Sequence, residues 1–133
     1  MLKYVVGYDG SNVAKDAMKL AFKRASHNGA SVDVIKSVIQ SHTLKYEEIR
    51  RMESELENEV KQIVSESAEA PYKTHLLVTH QTAGEAICEF AQDHEIDEVI
   101  IGIRRRSKVE KLVFGSTAQY IILNSPCPVL SIR

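Results

Sequence analysis

The stretch KYVVGYDGSNVAKDAMKLAFKRASHNG, Lys3 to Gly29, decides the fold. Lys3 to Tyr8 is a short β-branched and aromatic run that stops at Asp9-Gly10, and the run from Ser11 carries apolar residues at helical spacing. Val13, Ala17, Leu20, Ala21 and Ala25 fall along one stripe. Ser11 or Asn12 can cap the start, and Gly29 can end the helix in the left-handed conformation. The stretch reads as strand, turn, helix.

The same unit recurs along the chain. Ser31 to Gln40 is a second strand, and the polar stretch Thr43 to Glu69 places Leu44, Ile49, Met52, Leu56, Val60 and Ile63 near helical spacing, a long amphipathic helix. Pro71 breaks that helix; Lys73 to His80 follows as a third strand and Ala83 to Ile96 as a third helix. Asp97 to Ile103 is a fourth strand, VEKLVFGSTAQYIILNS (Val109 to Ser125) contains a fourth helix, and Cys127 to Arg133 is a fifth strand entered through Pro126 and Pro128. Alternation of short apolar strands with helices implies βαβ units, a parallel sheet and right-handed crossovers. The expected fold is therefore α/β: a single-domain, doubly wound five-stranded parallel sheet with helices on both faces, Rossmann-like, over residues 1–133.

Composition narrows the function classes. Lys plus Arg total 17 and Asp plus Glu 18, so the run Arg104-Arg105-Arg106 is a local feature and not part of a basic coat for nucleic acid. Cys88 and Cys127 stand in different elements with no CxxC, which indicates neither a disulfide framework nor a zinc site and fits a reducing cytosol. The N-terminus MLKYVVGYDG meets Gly and Asp too soon for a signal segment, and no apolar run approaches the roughly 18 residues needed to span a bilayer. A cytoplasmic protein without nucleic-acid or membrane partners is expected. His27, His42, His75 and His94 show no metal-ligand spacing, and His80 and Thr82 after the third strand reach at most the rim of a site. No GxSxG, GxxxxGK[ST] or HExxH occurs, so no catalytic residue is assigned.

Ligands of an open parallel α/β sheet bind outside the carboxyl ends of the strands, where strand order reverses. The loops at that end begin at Asp9, Val38 and Gly102. Gly102 ends a strand where the backbone passes close to something or turns unusually, and Gly115-Ser116 follows at a candidate helix start. Free amides there, a hydroxyl and the adjacent arginines suit a phosphate. A solvated arginine loop with glycines serving only the turn is the competing reading. Asp9 has two readings as well, a site residue or an Asx turn that caps the first helix.

VVGYDGS (Val5 to Ser11), GIRRRSKVEKLVFGSTAQYIILNSPCPVLSI (Gly102 to Ile132) and the βαβ order between them resemble the universal stress protein family over essentially the whole chain. ATP-binding members of that family resemble one another in a pattern of Gly, two residues, Gly, nine residues, Gly, then Ser or Thr; Gly102, Gly115 and Ser116 match it, and Arg105 stands where the middle glycine falls. The resemblance implies an adenine nucleotide alpha hydrolase-like fold and a site for ATP or a related adenine nucleotide, with or without Mg2+, at the carboxyl ends of strands one, two and four. It places Asp9 and Gly10 at the ribose or phosphates and Val38 at the adenine, although Val38 is core on any reading. Ser11, Ile103, Arg104, Arg105, Ser107, Gly115, Ser116 and Thr117 complete the nucleotide-binding set.

The apolar run CPVLSIR comes last and belongs at a sheet edge, where unpaired N–H and C=O groups invite a second strand; the resemblance implies homodimers built there. The expected function is a small stress-response dimer regulated by nucleotide. Two alternatives remain open: a nucleotide-free dimeric interaction protein of the same fold, favoured by Arg105, and a slow ATPase relying on Asp9.

Overall fold

A computed structural model describes residues 1–104 and 115–133. Its elements run β1 (Lys3–Gly7), α1 (Asn12–Asn28), β2 (Ser31–Ile39), α2 (Tyr46–Glu66), β3 (Tyr72–Thr79), α3 (Ala83–Asp93), β4 (Glu98–Gly102), α4 (Ser116–Asn124) and β5 (Val129–Ile132). The five strands form one sheet in the order β3-β2-β1-β4-β5, and every neighbouring pair is parallel. The chain winds outward from β1 to β3, then crosses to β4 on the other side of β1, so strand order reverses between β1 and β4.

Period-two alternation sends each central strand's side chains to opposite faces. Tyr4, Val6, Val32, Val34 and Ile100 join the layer under α1 and α2; Val5, Ile35, Val99 and Ile101 join the layer under α3 and α4. Strands buried on both faces read as continuous apolar runs, as EVIIG of β4 does.

The seated face of α1 is rotated from the expected stripe. Ala14, Ala17, Met18, Ala21, Phe22 and Ala25 are buried, while Val13 and Leu20 sit half-exposed at the margin. Met18 and Phe22 are fully buried and fill the volume between helix and sheet, with Phe22 edge-on to Tyr72 of β3. Small alanines on either side of them let the helix lie close. In α2 only Leu56, Val60 and Ile63 are buried; Ile49 and Met52 in its first half are partly exposed.

The helix ends explain where the elements stop. Ser11 caps α1 by accepting the Ala14 amide, and Gly29 closes it at φ 68°. Thr82 and Glu85 form a reciprocal capping box on α3. β5 pairs with β4 alone and β3 with β2 alone, so both are edges. Cys88 of α3 is buried against the sheet and Cys127 lies at the margin of that layer; both are free thiols. Among the described residues no helix is long and apolar enough to cross a membrane.

Candidate functional site

At the reversal point the two central strands hand their chains to different neighbours. Beyond β1 the Tyr8 amide donates to the Ile35 carbonyl of β2 at 2.8 Å, while beyond β4 the Ile103 amide donates to the Ile132 carbonyl of β5 at 2.6 Å. The backbones therefore diverge, and a crevice of about 420 Å³ opens between them, within the size range of small-ligand sites.

Its floor is apolar: Ile35 of β2, Ile101 of β4, Ile87 of α3 and Ile121 of α4 line it, with Ala14 and Ala83 at two helix starts. Its rim is polar, formed by Asp9, Lys36, Ser37, Arg104, Ser116 and Thr117. An apolar slot with a polar rim suits a flat heterocycle joined to an anionic tail.

Asp9 makes the Asx turn and also lines the crevice. Its Oδ1 accepts the Ser11 amide at 2.9 Å and the Ser11 hydroxyl at 2.6 Å, the Asx turn before α1. Its Oδ2 accepts Arg104 Nη2 at 3.1 Å, and the residue lines the crevice. Partial burial on its own pushes the Asp9 carboxyl up, but the two Ser11 hydrogen bonds and the Arg104 charge outweigh it, and the group titrates below its ordinary value. Gly10 lets the turn pass at φ 85°.

The two signature glycines turn out to differ in kind. A Cβ on Gly102 would stand 2.6 Å from the Val13 carbonyl oxygen, so this glycine admits the first turn of α1 against the end of β4. Gly115 has ordinary backbone, φ −66° and ψ 161°, and a Cβ there would meet no atom of the described residues within 4 Å. It stands at the N-cap of α4, where no side chain among the described residues caps the helix, and the first amides of α4 lie at the rim, at the positive end of the helix dipole. The two other helices that open beside the crevice, α1 and α3, are closed by Ser11 and by the Thr82–Glu85 box.

Of the residues expected from sequence, Asp9, Gly102, Arg104, Gly115, Ser116 and Thr117 line the crevice. Gly10 and Ser11 shape the turn behind Asp9, and Ile103 is buried in the layer under α3 and α4. Val38 does not line the crevice: Gly7 is level with Ile35, so β2 outruns β1, and Ile35, Lys36 and Ser37 are the β2 residues that face the opening. Arg105, Arg106 and Ser107 lie outside the described residues. His80 is exposed at the end of β3, and Thr82 is occupied as a helix cap.

Sequence reasoning passed over Tyr8, Lys36, Ala83 and Ile87, all of which line the crevice. A lone lysine inside the apolar run of β2 was a readable signal; the start of α3 carried none. Tyr8 is buried, and among the described residues its hydroxyl meets no partner in full hydrogen-bond geometry; burial, with the nearby Glu59 carboxylate adding to it, holds the phenol well above its ordinary value. Among the described residues no three His, Cys, Asp or Glu side chains gather into a metal-binding group.

The model of the Universal stress protein family matches residues 1–133. The chain belongs to the universal stress protein family. A universal stress protein of Methanocaldococcus jannaschii is 30% identical over 98% of this chain and 81% of its own length. The structure of a universal stress protein from Archaeoglobus fulgidus superimposes with a TM-score of 0.85 at 32% identity, covering 100% of this chain and 99% of that one. A universal stress protein of A. fulgidus in complex with dAMP gives a TM-score of 0.81 at 29% identity, with 100% and 98% coverage. The five-stranded parallel sheet with its four helices is thus the architecture this universal stress protein shares with the two A. fulgidus structures.

Proposed function

We propose that this universal stress protein binds ATP or a related adenine nucleotide in the crevice between β1 and β4, and that occupancy regulates a small cytoplasmic stress-response homodimer. The observation that carries the reading is the start of α4, which no side chain among the described residues caps or crowds at Gly115, with the Arg104 guanidinium on the same rim. Phosphate oxygens there meet free amides, the helix dipole and a cation together. The apolar floor of Ile35, Ile87, Ile101 and Ile121 offers the base a dry surface. The dAMP complex of the A. fulgidus relative supports the adenine assignment.

With ATP, a magnesium ion would be held chiefly by phosphates and water, since Asp9 is the carboxylate that lines the crevice among the described residues and it is already shared with Ser11 and Arg104. A positioned water with a free base is what rapid hydrolysis requires. The role proposed is regulatory binding, with hydrolysis at most slow and dependent on Asp9.

Dimerisation rests on the β5 edge. Its outer backbone groups face away from β4, and Ile122 and Leu123 on α4, the helix that precedes it in the chain, are 44% and 73% exposed. A second copy of the strand alongside would satisfy the edge and cover the apolar side chains. A nucleotide-free dimer of the same fold is the second reading, favoured by Arg105 at the position of a signature glycine.

Nucleotide released by denaturing the purified protein, identified by mass spectrometry, together with calorimetric titration of AMP, ADP and ATP, tests the assignment. An adenine nucleotide in the released fraction, or saturable binding, is expected. Neither release nor heat with any of the three would leave the nucleotide-free reading standing.

A further inference from the structure

Asp9 and Arg104 face each other across the mouth of the crevice, one just beyond β1 and the other just beyond β4. Arg104 Nη2 donates to Asp9 Oδ2 at 3.1 Å, and the guanidinium and carboxylate are 68% and 59% exposed. The carboxylate is fixed from behind, because both Ser11 donors converge on Oδ1 while the Ser11 hydroxyl accepts the Ala14 amide at 3.2 Å. The guanidinium sits at the end of a long flexible stem, so it is the partner free to move.

A phosphate at the start of α4 stands on the same rim and offers Arg104 what the Asp9 carboxylate offers, a pair of negatively charged oxygens that a guanidinium fork can meet. The two anions compete for one guanidinium. We propose that the Asp9–Arg104 pair is a latch selecting for phosphate: a phosphate-bearing ligand draws Arg104 away from Asp9, whereas an uncharged nucleoside leaves the pair closed. The inference rests on the adenine-nucleotide reading above and assigns Asp9 a role opposite to a ligand contact. Asp9 opposes phosphate binding by holding its cation, and so sets the threshold at which the site fills.

The test is a double-mutant cycle read by calorimetric titration of AMP and of adenosine at low salt. Wild type, Asp9→Asn, Arg104→Gln and the double variant are compared. Asparagine keeps an oxygen to accept the Ser11 amide, so the turn and the α1 cap survive. Wild type should prefer AMP to adenosine. Asp9→Asn should raise that preference about two- to fivefold, the scale of an exposed ion pair, and Arg104→Gln should reduce it. In the Arg104→Gln background the Asp9 substitution should give no further gain. A gain that persists without Arg104 would mean simple repulsion between Asp9 and phosphate and would overturn the latch. Weaker binding of both ligands by Asp9→Asn would make Asp9 a sugar contact and overturn it too. Equal wild-type affinity for AMP and adenosine removes the latch while sparing the adenine site; no binding of either removes both.

Discussion

The Val13 carbonyl oxygen of α1 lies 2.6 Å from the point a Cβ on Gly102 would occupy, and the Val13 carbonyl carbon only 2.8 Å. The obstructing atoms are helix backbone, which cannot swing aside as a side chain can. Gly102→Ala should therefore push α1 off the end of β4 and destabilise the protein by about 1–3 kcal/mol, the usual cost of overpacking a well-filled contact. Urea denaturation checks this; an unchanged midpoint would mean that the helix start yields freely.

Gly115 presents the contrary case. With no described residue within 4 Å of an added Cβ and φ at −66°, Gly115→Val should leave stability within about 1 kcal/mol of wild type, the scale of an N-cap change. The added isopropyl group would stand where phosphate approaches the α4 amides, and nucleotide affinity should fall at least about tenfold, the loss of one charge-assisted contact or more. Unchanged affinity in the folded variant would move the phosphate site elsewhere.

Asp9 gives the protein an acid-sensitive contact. Its carboxyl titrates below the ordinary value in the folded chain, so its contribution is present above the unfolded pKa of about 4 and fades as pH falls through the lower folded value. The stability difference between wild type and Asp9→Asn should shrink between about pH 5 and pH 3. A difference independent of pH would show that the turn tolerates a neutral Asp9 equally well. The side chain is more than half exposed, so the effect will be small and weaker in salt.

In solution the protein should be a homodimer. Light scattering at micromolar concentration should give twice the mass of the 133-residue chain. Leu123→Glu, on a side chain 73% exposed within one chain, should shift the equilibrium toward monomer without loss of helix signal by circular dichroism. Monomer throughout for wild type would exclude the β5 edge as an interface.

The alternation of elements was legible because its signals are local. A strand such as KYVVG and a helix capped by Ser11 and closed by Gly29 announce themselves within a few residues, through side-chain period and permitted backbone angles. β5 at an edge followed from its place at the end of an alternating chain. Asp9, Arg104, Gly115 and Ser116 at one crevice followed from the rule that loops after parallel strands share one end of the sheet.

Register and helix rotation belong to the tertiary structure. Ile35 to Ser37, and not Val38, reach the crevice because Gly7 pairs level with Ile35, a match fixed by the whole ladder of β1 against β2. Met18 and Phe22, and not Leu20, face the sheet because the volume they fill is defined by strands distant in sequence. The neighbour that requires Gly102 is a carbonyl of α1, and the partner of Arg104 is a carboxylate 95 residues away. Chain-local propensities carry no record of such distances; close packing of the sheet and helices sets them.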